Sequence, residues 1–180
     1  VASRWRRLRR SHARRSVMGP LLRKWSLIVH VGSSVGWLGA VVGFFALAVV
    51  ALVTDDAQPS QANYLAMNDL AWLTILPACL LSLASGIVQS LGTPWGLLKH
   101  WWVVVKLLIT VVSTVVLLIH MGPISDMANI AADTLVLGSE HDRLRLQLVV
   151  DSGAAAIALL TAMSLSILKP RGQTPFGTAA

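Results

Sequence analysis

Four long stretches free of acidic residues, separated by charged gaps, constrain this chain more than any other feature. They run Trp25–Val53, Leu70–Leu98, Trp101–His120 and Ser152–Leu168, and Lys106 is the one lysine or arginine inside them. The hydrocarbon layer of a bilayer is about 30 Å thick and takes about 20 apolar helical residues to cross. The pattern predicts an all-α protein, an integral membrane antiparallel four-helix bundle with spans near 25–53, 70–91, 101–120 and 147–168. The gaps differ in sign. All eight acids (Asp55, Asp56, Asp69, Asp126, Asp133, Glu140, Asp142 and Asp151) fall in or beside the first and third gaps. Twelve of the fifteen basic residues lie before the first stretch, in the second gap or after the fourth. Flanks rich in Lys and Arg are held on the cytoplasmic side, so both termini are expected inside, N-in and C-in.

Composition supports the same class. Hydrophobic residues make up 55% and charged residues 13%, against about a quarter charged in soluble domains. The length leaves room for one bundle and no separate soluble domain. The net charge of +7 would suggest nucleic acid if it were spread over a folded surface. Instead, nine of the fifteen basic residues precede position 25. Residues 1–20 therefore read as a disordered cytoplasmic arm whose partners are anionic lipid headgroups, attracted at roughly 1 kcal/mol per charge. No nucleic-acid partner is expected, because no folded basic module with interleaved aromatics is present. Residues 21–170 form the membrane domain and 171–180 a disordered cytoplasmic tail. The stretch after Lys24 exceeds the roughly 7–15 apolar residues of a secretory signal and reads as a span. Met18 is an alternative start.

Within this frame Pro77 is expected to kink the second span. The segment 54–69 reads as a polar outer gap. The gap at 121–150 opens at Met121-Gly122-Pro123, and Ile124–Leu137 carries a weak helical pattern suited to the surface. The fourth helix is expected to start near Leu146. Gly32, Gly36 and Ala40, with Gly39 and Gly43, give the first span two runs of small residues at four-residue spacing, which permits close approach of a neighbouring helix. That face is expected to be buried in the bundle. Cys79, the single cysteine, reads as a packing residue.

Polar groups inside a membrane are expensive and are functional candidates by default. His30 lies five residues past Trp25, so about 8 Å along its helix. Lys106 lies five residues past Trp101 on a helix that starts from the same side, and Gln89 returns to that level near the end of the second span. These three are expected to share one inner layer in which the chain supplies no carboxylate. A propionate or a lipid phosphate would neutralise the lysine. Lys106, Thr110, Ser113, Leu117 and His120 recur at helical spacing and form one face, expected to point into the bundle. His120 then approaches Asp151 as an outer polar pair, or stands as an interfacial histidine. No H-x-x-x-H, paired-cysteine or H-E-x-x-H spacing suggests zinc. No glycine-rich phosphate loop is present either.

The runs LGTPWGLLKHWWVVVKLLIT (91–110), HVGSSVGWLGA (30–40), LASGIVQS (83–90) and LVVDSGAAA with LKPRG (148–172) resemble a widespread group of small bacterial integral membrane proteins without an assigned activity. More distantly, the early histidine followed by Trp37-Leu38-Gly39 and the lysine after Trp101 resemble the copper-resistance D membrane proteins and the haem-dependent membrane protoporphyrinogen oxidase. The latter resemblance implies b-type haem, with His30 as the iron ligand and Lys106 beside a propionate. His100 or a second chain would have to supply the other axial ligand. The resemblance places the chain in the bacterial cytoplasmic (inner) membrane.

Three roles follow as expectations. The first is a non-enzymatic membrane component: a subunit, a scaffold or a permease-like protein that pairs with itself or a membrane partner. The second is a haem-binding redox protein using His30, Lys106 and Gln89. The third is copper handling at the outer face, near Met67, Met121, Met127 and His120.

Overall fold

A computed structural model describes residues 18–54, 56–93, 96–133, 141–170 and 172–178. The basic arm, including its arginines and His12, lies outside the described residues. Helix α1 runs Pro20–Val53, with proline in its first turn, where its missing N–H is not needed. Helix α2 is Ala57–Leu70, and a π turn over Ala71–Ile75 joins it to α3, Leu76–Gly92. Helix α4 is Trp101–Asp133, α5 is Asp142–Leu168 and α6 is the short Pro175–Thr178. Among the described residues, four helices are long and apolar enough to cross a bilayer: Pro20–Val53, Gln58–Gly92, Trp101–Asp133 and Asp142–Leu168. At most 28% of the most apolar window of each is buried. That leaves too much apolar surface for water to cover without another solvent, and it suits a membrane protein.

The helices outrun the expected spans at the end that carries the acids. Segment 57–69 is helical and continuous with the second span. Its polar residues hid an amphipathic period: Ser60, Tyr64, Met67 and Ala71 are buried at helical spacing. Helix α4 likewise passes through Gly122-Pro123 to Asp133, so Ile124 does not begin a separate surface segment. Met121, Ile124, Met127 and Ala131 are buried along it. Residues 134–140 lie outside the described residues, and α5 starts at Asp142, one turn before the expected Leu146. Pro77, expected as a simple kink, is preceded by the π turn, in which Leu76 N–H bonds Ala71 O. A π turn shifts the hydrogen-bond ladder just where proline can donate nothing.

The basic end is also more ordered than expected. The tail at 172–178 docks on the 96–101 connection. Trp101 N donates to Gly172 O at 3.4 Å and Thr174 N to Lys99 O at 3.0 Å, and Thr174 Oγ1 bonds Leu98 O. A single bridge joins His100 and Gln173.

Among the described residues, α1 packs on α2, α3 and α5, and α4 packs on α2, α3 and α5, while α1 and α4 share no close backbone approach. The four spans thus form a ring in which α1 and α4 lie across a diagonal. The core is densest toward the acidic end, around Trp37, Phe44, Tyr64, Met67, Cys79, Met127 and Leu148. The glycine face is a correction. Gly32, Gly36 and Gly39 are exposed, and a Cβ added at any of them would meet nothing within 4 Å. The face that packs is Ser33, Trp37, Ala40, Val41, Phe44, Ala48 and Ala51. Bulky apolar and aromatic groups at its centre bury more surface against the other helices than glycines can.

Candidate functional site

Toward the basic end, α1 turns His30 onto α3, where it lies against Gly86. A Cβ there would come to 3.0 Å from His30 Cε1, so the missing side chain is what admits the ring. His30 Nδ1 lies 3.1 Å from Ser82 O and 3.1 Å from Ser85 Oγ. A carbonyl only accepts, so Nδ1 carries the proton and donates. In the neutral ring, Nε2 is then the acceptor, and Lys106 Nζ reaches it from α4 at 3.2 Å. The lysine side chain crosses the diagonal that the backbones of α1 and α4 leave open. Next to this pair, Ser34 Oγ and Ser82 Oγ are 2.7 Å apart, and Ser33 Oγ donates to His30 O at 3.2 Å.

The structure therefore brings together His30 and Lys106 and adds Ser82 and Ser85. Gln89 is not bonded to either. It lies about one turn further along α3, and its Nε2 is buried without an acceptor. Ser26, one turn before His30, has a buried Oγ that is also without a partner. Among the described residues no carboxylate lies within ion-pair distance of Lys106.

The polar face of α4 leads from this layer to the acidic end. Thr110 and Thr114 return their hydroxyls to carbonyls one turn back, at 2.9 and 2.8 Å, and Cys79 Sγ lies 3.2 Å from Thr114 Oγ1. At the far end His120 Nδ1 donates to Val116 O at 2.7 Å. Its Nε2 stands 2.8 Å from Asp151 Oδ2 and 3.1 Å from Gln147 Nε2. His120 and Asp151, paired in the sequence reading, are neighbours in the fold. The ion-pair distance is short, yet no donor reaches this oxygen with normal hydrogen-bond geometry.

Arg145 is the residue that sequence reasoning passed over. Its guanidinium donates to Ala51 O at 2.8 Å and Leu52 O at 3.2 Å, and to Tyr64 Oη at 3.1 Å. It closes the orphan carbonyls at the C-terminus of α1, where a cation is also favoured by the helix dipole. An arginine in a gap otherwise dominated by acids was the available signal.

The haem expectation can be tested against these contacts. Iron would need a nitrogen of His30, and Nδ1 is bonded to Ser82 while Nε2 faces Lys106. As arranged, a ligand to Nε2 would have to displace Lys106. The methionines expected near a copper site, Met67, Met121 and Met127, are buried in the core. Among the described residues no group of three or more His, Cys, Asp or Glu side chains could hold a metal ion.

Four helices long and apolar enough to cross a bilayer, around a polar diagonal, fit a polytopic membrane protein. No protein-family model matches the chain, and neither a curated protein nor a solved structure is similar to it.

Proposed function

We propose that this protein is a non-enzymatic component of the bacterial cytoplasmic membrane, a subunit or scaffold whose intramembrane polar groups hold its own helices together. One observation carries this reading: His30 spends both ring nitrogens on Ser82, Ser85 and Lys106 of the same chain. A histidine and a lysine so engaged act as a cross-brace between α1, α3 and α4. Interhelical hydrogen bonds of this kind contribute roughly 1 kcal/mol each in membranes. The helices run antiparallel with both ends cytoplasmic, as the placement of Lys and Arg supports. The basic arm lies on anionic headgroups. The open glycines of α1 receive a second membrane helix, from another copy or from a partner subunit. The test is an absorption spectrum of protein purified from haem-replete cells. No Soret band is expected, and one that is lost in His30→Ala would overturn the reading in favour of haem binding.

A further inference from the structure

The segment after α5 is built as a strap. Gly172 and Thr174 tie it to Leu98, Lys99 and Trp101, and Thr174 is buried. Helix α6 then closes on the same stretch, where Gly177 N donates to Thr174 O at 2.8 Å. A Cβ on Gly177 would come to 2.5 Å from Lys99 O. A backbone oxygen cannot yield as the end of a side chain can, so this approach requires glycine. Residues 172–178 are thereby held against the connection between α3 and α4, yet Phe176 among them is 70% exposed.

Depth follows from these ties. Trp101 is the first residue of a helix long and apolar enough to span, and tryptophan concentrates where a span meets the headgroups. Phe176 is two residues past Thr174, so it lies within about 7 Å of that anchor and close to the level of Trp101. Trp101 and Leu98 are exposed beside it. Charge says which lipid suits this end. Arg23 and Lys24 are exposed near the start of α1. That start lies here too, because Met18 occupies the space where Gly92, at the end of α3, lacks a side chain. Lys99 adds a third cation from the connection. Every acid of the chain falls in or beside the first and third gaps, at the other end. Cations with no carboxylate among them attract anionic headgroups.

We propose that residues 172–178 are a lipid-binding strap. Phe176, with Leu98 and Trp101, enters the boundary between headgroups and acyl chains, and Arg23, Lys24 and Lys99 gather anionic phospholipid around it. The strap requires that the chain lie in a bilayer. It shares no residue with the His30–Lys106 brace and stands independently of the role assigned to that pair.

The full chain is labelled with an NBD maleimide at Phe176→Cys or at Gln173→Cys, an exposed polar position on the same strap, and placed in vesicles of phosphatidylcholine and phosphatidylglycerol. The label at 176 is expected to be blue-shifted, and quenched by lipids with a nitroxide high on the acyl chain roughly threefold or more beyond the label at 173. At equal mole fraction, nitroxide phosphatidylglycerol is expected to quench it roughly twofold or more beyond nitroxide phosphatidylcholine. With no label attached, Phe176→Ser is expected to speed hydrogen exchange across 172–178 in nanodiscs of the same lipids. Water-like emission at both positions would overturn the strap, as would unchanged exchange in Phe176→Ser. A blue shift without nitroxide quenching would place Phe176 against protein and overturn the lipid contact. Equal quenching by the two nitroxide lipids would overturn the preference for anionic headgroups.

Discussion

At His30 two effects can be separated by substitution. His30→Ala removes the bonds to Ser82 and Ser85 and also strands the ammonium of Lys106 in a half-buried, carboxylate-free layer. Breaking a buried polar pair from one side is costly because the remaining charge loses its partner. Replacing Lys106 in that background takes the stranded charge away. The expected order of thermal stability in detergent is therefore wild type, then His30→Ala/Lys106→Met, then His30→Ala alone. A double variant less stable than His30→Ala would contradict the brace. Glycines give a second residue-scale contrast. Gly86→Ala pushes a Cβ to 3.0 Å from the His30 ring and should lower stability by about 1–2 kcal/mol. Gly36→Ala meets open space and gains helix propensity, so melting should stay level or rise, by up to about 1 kcal/mol. Equal loss at both positions would show that Gly36 is packed after all.

Arg145 ties elements together at the acidic end. Arg145→Met removes the donors to Ala51 O, Leu52 O and Tyr64 Oη, for an expected loss of roughly 2 kcal/mol. It should also raise hydrogen exchange in the last turn of α1, and unchanged exchange there would show that the cap is idle. The elements were legible to different degrees. The apolar stretches gave away the four spans because hydrocarbon leaves no alternative to a continuous apolar helix. The extensions in α2 and α4 were missed because a helix that packs on its neighbours needs only one apolar face. In 57–70 that face is spread thinly among Gln, Asn and Ser. Pro123 looked like a terminator, yet α4 continues past it, next to contacts that tie α4 to the second span. There Ser125 Oγ donates to Asn68 Oδ1 at 3.0 Å and accepts from Trp72 Nε1 at 3.1 Å. The juxtaposition of His30 and Lys106 followed from counting residues from Trp25 and Trp101, since rise per residue fixes depth. The partnership with Ser82 and Ser85 did not, because depth says nothing about which neighbour a helix face meets. The glycine spacing misled for the same reason. It marks where a helix can be approached closely, and this chain's own helices approach elsewhere.

For the whole molecule, the open glycine face and the charge asymmetry make separate demands. If a second helix seats on Gly36, Gly36→Leu should leave the monomer's melting temperature unchanged while abolishing cross-linked dimers or co-purified partners. A lowered melting temperature with association intact would return that face to the bundle interior. Orientation is the more central matter, because the role of the basic arm depends on it. The direct measurement is labelling of single introduced cysteines with an impermeant maleimide on intact cells and on broken cells. Cys79 is buried and should stay silent in both. Gln58→Cys, exposed at the acidic end, is expected to label in intact cells, and Gly172→Cys, exposed at the basic end, only after the cells are broken. Labelling of Gly172→Cys in intact cells, with Gln58→Cys protected, would contradict the account.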